Sequence, residues 1–433
     1  MKLIKRDVVL WLRHLQEAGM PVPAGCPAVF RVGDADILFQ PMRPGPSGRP
    51  TPGLRAAGAN RGVWSSIPLG TVIDFELVRL LAEDTAAPLA DAGKPRLSRT
   101  HKAESHGPSD AAKESFETVA LPPSRTPAFD AYIMVDWSAA SAPKTGKDSV
   151  WWCLSVWRGG RLVMEANENS PTRQLCFDVL RTQLRTLVAA GSSVLVGFDF
   201  PFGYPAGFAA ALGLSGQRPW RAVWDELAAR ITDNQAGGAN NRFQVASDLN
   251  LRVGVSEGPF WGRPQERTFA QLHATEPTYP VGALNRLREA DRHTRGVQPV
   301  WKLWGNGSVG GQTLLGLPML ARLRDDDQLR DLSGVWPFET GCRLPPRDKP
   351  RIIFAEIYPS LVKLPADAGG RVKDSVQVEA IARHLACHDA SDTLSDLFAA
   401  PATLEPAVRN RVETEEGWIL GVGPVRIEPR AFT

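Results

Sequence analysis

The chain has 433 residues, of which 43% are hydrophobic and 22% charged, and its formal net charge at pH 7 is +3. This composition is typical of a soluble globular protein with room for more than one core, and the small net charge neither requires nor excludes a polyanionic partner. The five cysteines are scattered, which argues against a disulfide framework and a zinc knuckle. No apolar run reaches the ~18 residues of a membrane helix. Charges also interrupt the apolar N-terminal stretch, so the sequence predicts a cytoplasmic protein without a membrane span.

Three parts of the chain differ in composition. Residues 1–82 predict a small α+β module with an amphipathic start and a strand at 35–39. Residues 83–127 contain a single aromatic residue, and such a segment buries too little apolar area to offset its ordering entropy, so we expect a flexible linker. Residues 128–433 carry the strongest patterns and predict one α/β domain.

This third part alternates apolar strands with amphipathic helices. Strands that are apolar throughout are typical of a sheet covered by helices on both faces. The order of the elements, with a long insertion before the last strand, predicts an RNase H-like mixed sheet flanked by helices. The predicted elements, in chain order, are a strand at 131–137, a hairpin at 149–166, a helix at 171–187, a strand at 194–200, a mostly helical and loop insertion at 206–345, a strand at 352–360 and a helix at 376–398.

Three of the predicted strands end in an acidic residue: Asp136, Asp199 and Glu356. Ligand sites of α/β sheets gather at the carboxyl ends of the strands, so we expect these side chains to converge at one edge. The last predicted helix carries Asp389 and Asp392 on one face, and we expect Asp392, with Asp389 beside it, to reach the same edge. The alternative interpretation is that each acid is only a cap, a turn residue or part of a solvated helix face.

Carboxylates brought together repel one another, and a divalent cation among them offsets that repulsion. Oxygen ligands favour Mg²⁺ or Mn²⁺, and two such ions about 3.5–4 Å apart activate a water and stabilise the leaving oxygen of a phosphodiester. The sequence therefore predicts a metal-dependent nuclease. In this hypothesis Asp136 bridges both ions, Asp199 and Glu356 hold one each, and Asp392 completes the second site or orients the water.

Several motifs of the third part resemble the DUF429 family, a group of predicted RNase H-like nucleases. The resemblance runs from Tyr132 to Val422 and depends on the order of the motifs more than on any one of them. The motifs are VDWSAAS (135–141), GFDFPFGYP (197–205), WKLWGNGSVGGQTLLGLPML (301–320), AEIYPSLV (355–362), HDASDTLSDLFAA (388–400) and EGWILGV (416–422).

The resemblance implies an RNase H-like fold and assigns the family's acidic positions to Asp136, Asp199, Glu356 and Asp392. The HDASD segment is also similar to the closing helix of RuvC-type resolvases, in which two aspartates three residues apart belong to the metal site. That similarity adds Asp389 to the expected ligands. It does not extend to residues 1–127.

The predicted insertion is rich in arginine and tryptophan, side chains that contact phosphates and stack on bases, so we expect a nucleic acid as partner. The helical spacing of several tryptophans fits a buried core equally well. A glycine-rich segment at 305–312 favours either a phosphate-binding loop or a tight structural turn. The candidate substrate-binding residues are Lys302, Ser308, Gly310 and Arg292.

Two other functions fit the same residues. Sugar kinases and ATPases share the RNase H-like fold, but their first strand runs Asp-x-Gly into a phosphate-binding hairpin, whereas this chain has Asp136-Trp137-Ser138. The other alternative is a non-catalytic nucleic-acid-binding module, in which the acids form salt bridges to arginines of the insertion.

Overall fold

The structure is a computed structural model. It describes residues 119–122, 125–216, 218–234, 238–255, 257–347, 351–365 and 370–423, together with the backbone of six strands nearer the N-terminus. The chain divides into two compact units, Met1–Pro108 and Ser109–Thr433.

The first unit contains short antiparallel sheets. Its described strands are β1 (Lys2–Ile4), β2 (Ala28–Val32), β3 (Ala35–Pro44), β4 (Pro50–Ala57), β5 (Trp64–Ser66) and β6 (Val72–Asp74). Strand β1 pairs with β6, and the other four form a sheet in the order β2-β3-β4-β5. The strand predicted at 35–39 lies within β3, and residues 8–15 of the predicted amphipathic start lie outside the described residues.

A six-stranded mixed sheet forms the centre of the second unit. Its strands are β7 (Ala131–Asp136), β8 (Val150–Arg158), β9 (Arg161–Ser170), β10 (Val194–Phe198), β11 (Ser333–Val335) and β12 (Ile352–Glu356). They lie in the order β11-β12-β10-β7-β8-β9, in which the first four are parallel and β8 and β9 form the antiparallel hairpin. The predicted α/β sheet is therefore confirmed, and β11 is an added edge strand from within the predicted insertion.

Helices cover this sheet. The α-helices of the described residues are α1 (Arg173–Ala189), α2 (Phe208–Ala211), α3 (Pro219–Arg230), α4 (Arg242–Val253), α5 (Glu289–Arg292), α6 (Gly310–Arg324), α7 (Lys373–Ala390), α8 (Leu394–Phe398) and α9 (Pro406–Arg411). Within the part of the chain that the structure describes, none of them has the length and apolar character needed to cross a bilayer.

The sheet has a hydrophobic core on each face. Along β7, Ile133 and Val135 belong to the core that α1 and α6 cover, whereas Tyr132 and Met134 belong to the core under α7. Successive side chains of a strand point to opposite faces, so a strand buried on both faces must be apolar at every position. This explains why the strands are visible in the sequence as uninterrupted apolar runs.

The last predicted helix, 376–398, is two helices in the structure. Helix α7 ends at Ala390, and Asp392 has a φ of +62°, a left-handed conformation that a continuous helix does not allow. The chain then starts again as α8. The helical pattern of the sequence predicted the residues on both sides of this break but not the break itself.

The end of the predicted linker, 83–127, belongs to the second unit. The backbone N–H of Leu121 donates to the carbonyl of Gly160 at 2.7 Å, and that of Leu162 donates to Val119 at 2.9 Å, next to the edge strand β9. Most of the predicted linker lies outside the described residues. The second unit therefore starts before residue 128, which is the boundary that the sequence predicted.

Candidate active site

Asp136 and Asp199 lie side by side at the carboxyl ends of neighbouring parallel strands. Phe198 pairs with Val135 in the register of β10 and β7, so the next residue of each strand is also in register. The two carboxyl groups are close enough for each to shift the pKa of the other. In addition, Oδ1 of Asp199 accepts the backbone N–H of Trp137 at 2.6 Å. The expected convergence of acids is thus present for this pair.

The electrostatics of the pair favour its protonated form. Burial raises the pKa of Asp136 well above its usual range, and the negative charge of Asp199 raises it further. Burial likewise raises the pKa of Asp199, against the hydrogen bond from Trp137. No lysine or arginine of the described residues forms an ion pair with either carboxylate. A shared proton, or a bound cation, is what such a pair needs to avoid the repulsion of two adjacent negative charges.

Asp374 is a third acid near this pair, and the sequence analysis missed it. It lies in the first turn of α7 and is 8% exposed, and its Oδ2 accepts the backbone N–H of Asp148 at 2.7 Å. Burial raises the pKa of Asp374, and its charge in turn raises the pKa of Asp136 and of Asp199. A helix that follows a parallel strand starts at the carboxyl edge of the sheet, so its first turn was the place to look.

These acids do not yet form a closed ligand set. Within the residues that the structure describes, no group of three or more Asp, Glu, His or Cys side chains is arranged closely enough to hold a metal ion. The arrangement is a close pair, Asp136 and Asp199, with Asp374 interacting from farther away.

The loop after Asp136 is held from several elements. Arg173 of α1 donates to the carbonyls of Ser138 and Ala140 at 2.9 and 2.8 Å, and Gln312 of α6 donates to that of Trp137 at 2.5 Å. Because two helices hold this loop, the carboxyl pair has a supported position rather than a place on a free loop.

Glu356 does not join the pair, contrary to expectation. It pairs in register with Phe198, so strand alternation directs its side chain to the face opposite Asp199. There each of its oxygens accepts a hydrogen bond from the guanidinium of Arg288 at 2.7 Å, and one of them also accepts a hydrogen bond from the backbone N–H of Phe202. Burial raises the pKa of Glu356 while the charge of Arg288 lowers it. Glu356 therefore shares the buried Arg288 with Asp291, whose carboxylate lies 2.8 Å from the same guanidinium.

Asp389 and Asp392 lie towards the other end of β7. Asp389 is fully buried and accepts the N–H groups of Ala128 and Phe129 and the hydroxyl of Tyr132, at 2.7, 3.0 and 2.5 Å. At about 3.3 Å per residue, Tyr132 lies roughly 13 Å before Asp136 along the strand. The Asp392 side chain is 85% exposed and forms an ion pair with Arg125 at 2.8 Å. The structure does not bring these two acids to the pair, because α7 runs antiparallel to β7.

The four candidate substrate-binding residues have mainly structural contacts. The Lys302 ammonium donates to the carbonyl of Asn306 at 2.7 Å, and the Ser308 N–H donates to Gly305 at 3.2 Å, so both close the glycine-rich turn. A side chain at Gly310 would lie 2.3 Å from the Val300 carbonyl oxygen, which explains the glycine by close packing. Arg292 is exposed at the end of α5.

Most of the tryptophans of the insertion belong to the core, as the alternative interpretation expected. Trp220, Trp224 and Trp301 are 3%, 0% and 0% exposed, whereas Trp304 is 48% exposed. Only Trp304 of these four is therefore accessible to a ligand without rearrangement.

No known family model, curated protein or solved structure matches this chain. The resemblance to the DUF429 family accordingly stays an expectation from the motifs.

Proposed function

We propose that the second unit is an RNase H-like, metal-dependent phosphodiester hydrolase that acts on nucleic acid through Asp136 and Asp199. The observation that carries the proposal is the proximity of two half-buried carboxyl groups, without an ion-pair partner among the described residues, at the ends of adjacent parallel strands. The strand order supports it, since the first strand is central with an antiparallel hairpin on one side and parallel strands on the other.

The donor atoms suit Mg²⁺ or Mn²⁺. Both carboxyl groups offer oxygen, and Mg²⁺ in proteins commonly uses one or two carboxylates and completes its shell with water and substrate phosphate. A bound ion supplies a nucleophilic water at neutral pH and stabilises charge on the phosphoryl oxygens. The pair suits one ion most directly, since Glu356 and Asp392, the further ligands expected for a second ion, are engaged by Arg288 and Arg125.

The surrounding residues of the chain have positioning roles. The Trp137 N–H holds one oxygen of Asp199, which fixes the orientation of that carboxylate. The Asp374 carboxylate accepts a hydrogen bond from the backbone N–H of Asp148, and its negative charge attracts a cation towards the pair. Gln312 holds the carbonyl of Trp137 and so keeps the following loop close to the pair.

A second candidate is the non-catalytic binding module. It is favoured by the buried pair of Glu356 with Arg288, because this is an acid of the sheet neutralised by an arginine of the insertion. The same explanation does not extend to Asp136 and Asp199, for which no such arginine lies among the described residues.

The test is cleavage of labelled single- and double-stranded DNA and RNA by the purified full chain with Mg²⁺ or Mn²⁺. We expect cleavage that Asp136→Asn and Asp199→Asn reduce to the level of a no-enzyme control, while both variants keep their circular dichroism spectrum. The matched control is Asp396→Asn, at an exposed position of α8. A wild-type chain that cuts none of these substrates, or an Asp136→Asn variant that cuts as well as the wild type, contradicts the proposal.

A further inference from the structure

A group of arginine and aromatic side chains surrounds Phe243. The Arg242 guanidinium lies 4.3 Å from the centre of the Phe243 ring and that of Arg267 lies 5.3 Å from it, while the Trp304 and Phe243 ring centres are 6.0 Å apart. We call Arg242, Phe243, Arg267 and Trp304 the Phe243 cluster. Arg267 and Trp304 are exposed, so the cluster reaches the surface.

Arg242 is a buried cation without a carboxylate partner. It is 3% exposed, and it donates to the neutral oxygens of Ser141 and Asn240 at 3.0 and 2.8 Å. Its Nε has no hydrogen-bond partner among the described residues. Burial lowers the pKa of Arg242 to about 10, and the nearby charges of Arg173 and Arg267 act in the same direction.

The charge around Arg242 is unbalanced. Arg173 is neutralised by Asp233 at 2.6 Å, but Arg242 and Arg267 form no ion pair with any described residue. Burying an unpaired charge is unfavourable, so buried charges normally have partners. The uncompensated positive charge of Arg242 therefore favours an anion at the adjoining surface, where Arg267 is exposed.

The first turn of a long helix lies against the same arginine. Gly311 is in the first turn of the fifteen-residue helix α6, and a Cβ atom on it would lie 3.2 Å from Nε of Arg242. The N–H groups of Gly311 and Gln312 donate to no acceptor of the described residues, and the helix start has no side-chain cap. Free N–H groups at a helix start, together with the helix dipole, favour an anion.

This place is next to the acidic pair. A Cβ atom on Gly311 would also lie 3.2 Å from the Cβ atom of Ala139, which is three residues after Asp136. The Gln312 side chain donates to the carbonyl of Trp137. The first turn of α6 therefore lies against the loop that follows Asp136. The exposed Trp304, whose ring centre is 6.0 Å from that of Phe243, offers a face on which a base can stack.

We propose that the Phe243 cluster and the first turn of α6 bind a phosphate group of a single-stranded nucleic acid, and that a neighbouring base stacks on Trp304. The inference names the substrate class of the proposed hydrolase and rests on that function for its biological meaning. The binding itself requires no metal and no cleavage.

The test is binding of fluorescein-labelled single-stranded DNA and RNA of about 12 nucleotides, a length that spans one stacking groove. The full chain is titrated in EDTA and followed by fluorescence anisotropy. We expect Arg267→Ala and Trp304→Ala each to weaken binding by about fivefold or more. Arg267→Ala should also lower the slope of log affinity against log salt by about 0.7.

Matched controls remove similar groups elsewhere. Arg330→Ala removes an exposed arginine paired only with the exposed Asp327, and Leu251→Ala removes an exposed hydrophobic side chain of α4. Both should bind as the wild type does. Trp304→Phe keeps an aromatic face and should restore part of the affinity lost in Trp304→Ala.

Arg242→Met separates a ligand role from a structural one. Methionine keeps the apolar stem against Phe243, so we expect weaker oligonucleotide binding with an unchanged or higher free energy of unfolding. A variant that unfolds more easily and binds as the wild type does makes Arg242 structural and contradicts the inference.

Three other results overturn it. These are unchanged binding by Arg267→Ala and Trp304→Ala, duplex binding as tight as single-strand binding, and binding of AMP or inorganic phosphate as tight as that of the oligonucleotide.

The two proposals fail separately. If binding depends on Arg267 but the chain shows no metal-dependent cleavage, only the hydrolase proposal is contradicted. If cleavage depends on Asp136 but binding is unaffected by Arg267→Ala and Trp304→Ala, only the single-strand site is contradicted.

Discussion

The raised pKa values of Asp136 and Asp199 make the stability of the metal-free protein depend on pH. A carboxyl group with a raised folded pKa contributes stability that is present below its unfolded pKa and is lost as the pH rises through the folded pKa. The Asp136→Asn variant has no ionisable group at this position, so it does not lose that stability as the pH rises. In EDTA, we expect the variant to gain at least about 1 kcal/mol relative to the wild type between about pH 5 and pH 8.

Urea unfolding at the two pH values measures this effect, with Asp396→Asn as the control that should follow the wild type. A constant difference between Asp136→Asn and the wild type at both values would falsify the electrostatic description of the pair.

Glu356 illustrates a different environment for the same kind of residue. Its carboxylate and the Arg288 guanidinium are both nearly inaccessible to solvent, and removing the Glu356 charge leaves Arg288 with Asp291 as its one ion-pair partner among the described residues. We expect Glu356→Gln to lower the free energy of unfolding by about 3 kcal/mol. Glu165→Gln, at the exposed pair with Arg158, should change it by less than about 0.5 kcal/mol.

Urea unfolding of both variants checks this prediction. If Glu356→Gln unfolds as the wild type does but loses Mn²⁺ affinity, Glu356 is a metal ligand and its structural assignment is wrong.

At the scale of elements, Asp389 joins the end of α7 to the start of β7. It is fully buried and accepts three hydrogen bonds from the segment 128–132. An amide in its place loses charge-assisted bonds, so we expect Asp389→Asn to lower the free energy of unfolding by about 2 kcal/mol. Asp392→Asn, at an exposed side chain, should change it by less than about 0.5 kcal/mol. Equal effects of the two substitutions in thermal or urea unfolding contradict this assignment.

The elements themselves could be read from the sequence, because strands buried on both faces are apolar at every position. Their register could not. Whether Glu356 faces Asp199 or the opposite side depends on a one-residue offset between β12 and β10, which is set by pairing between strands far apart in the chain. The direction of α7 decides in the same way that Asp374, rather than Asp392, lies near the pair.

For the whole molecule, the sequence predicted the sheet, its mixed strand directions and two of the five acids expected to meet at one edge. Asp136 and Asp199 were found because each ends a parallel strand. The Phe243 cluster was foreseen only as a bias towards arginine and tryptophan. Its members come from three separate segments, at 242–243, 267 and 304, so no local pattern identifies which arginines meet.

The central claim is that Asp136 and Asp199, distant in sequence and adjacent in the fold, bind a divalent cation. Calorimetric titration of the full chain with Mn²⁺ tests it directly. We expect binding that releases protons and strengthens with pH, since carboxyl ligands must be deprotonated. Asp136→Asn and Asp199→Asn should each weaken it by at least about tenfold, Asp374→Asn should weaken it less, and Asp392→Asn should leave it unchanged. Absence of binding by the wild type, or an equal loss in Asp392→Asn and Asp136→Asn, contradicts the claim.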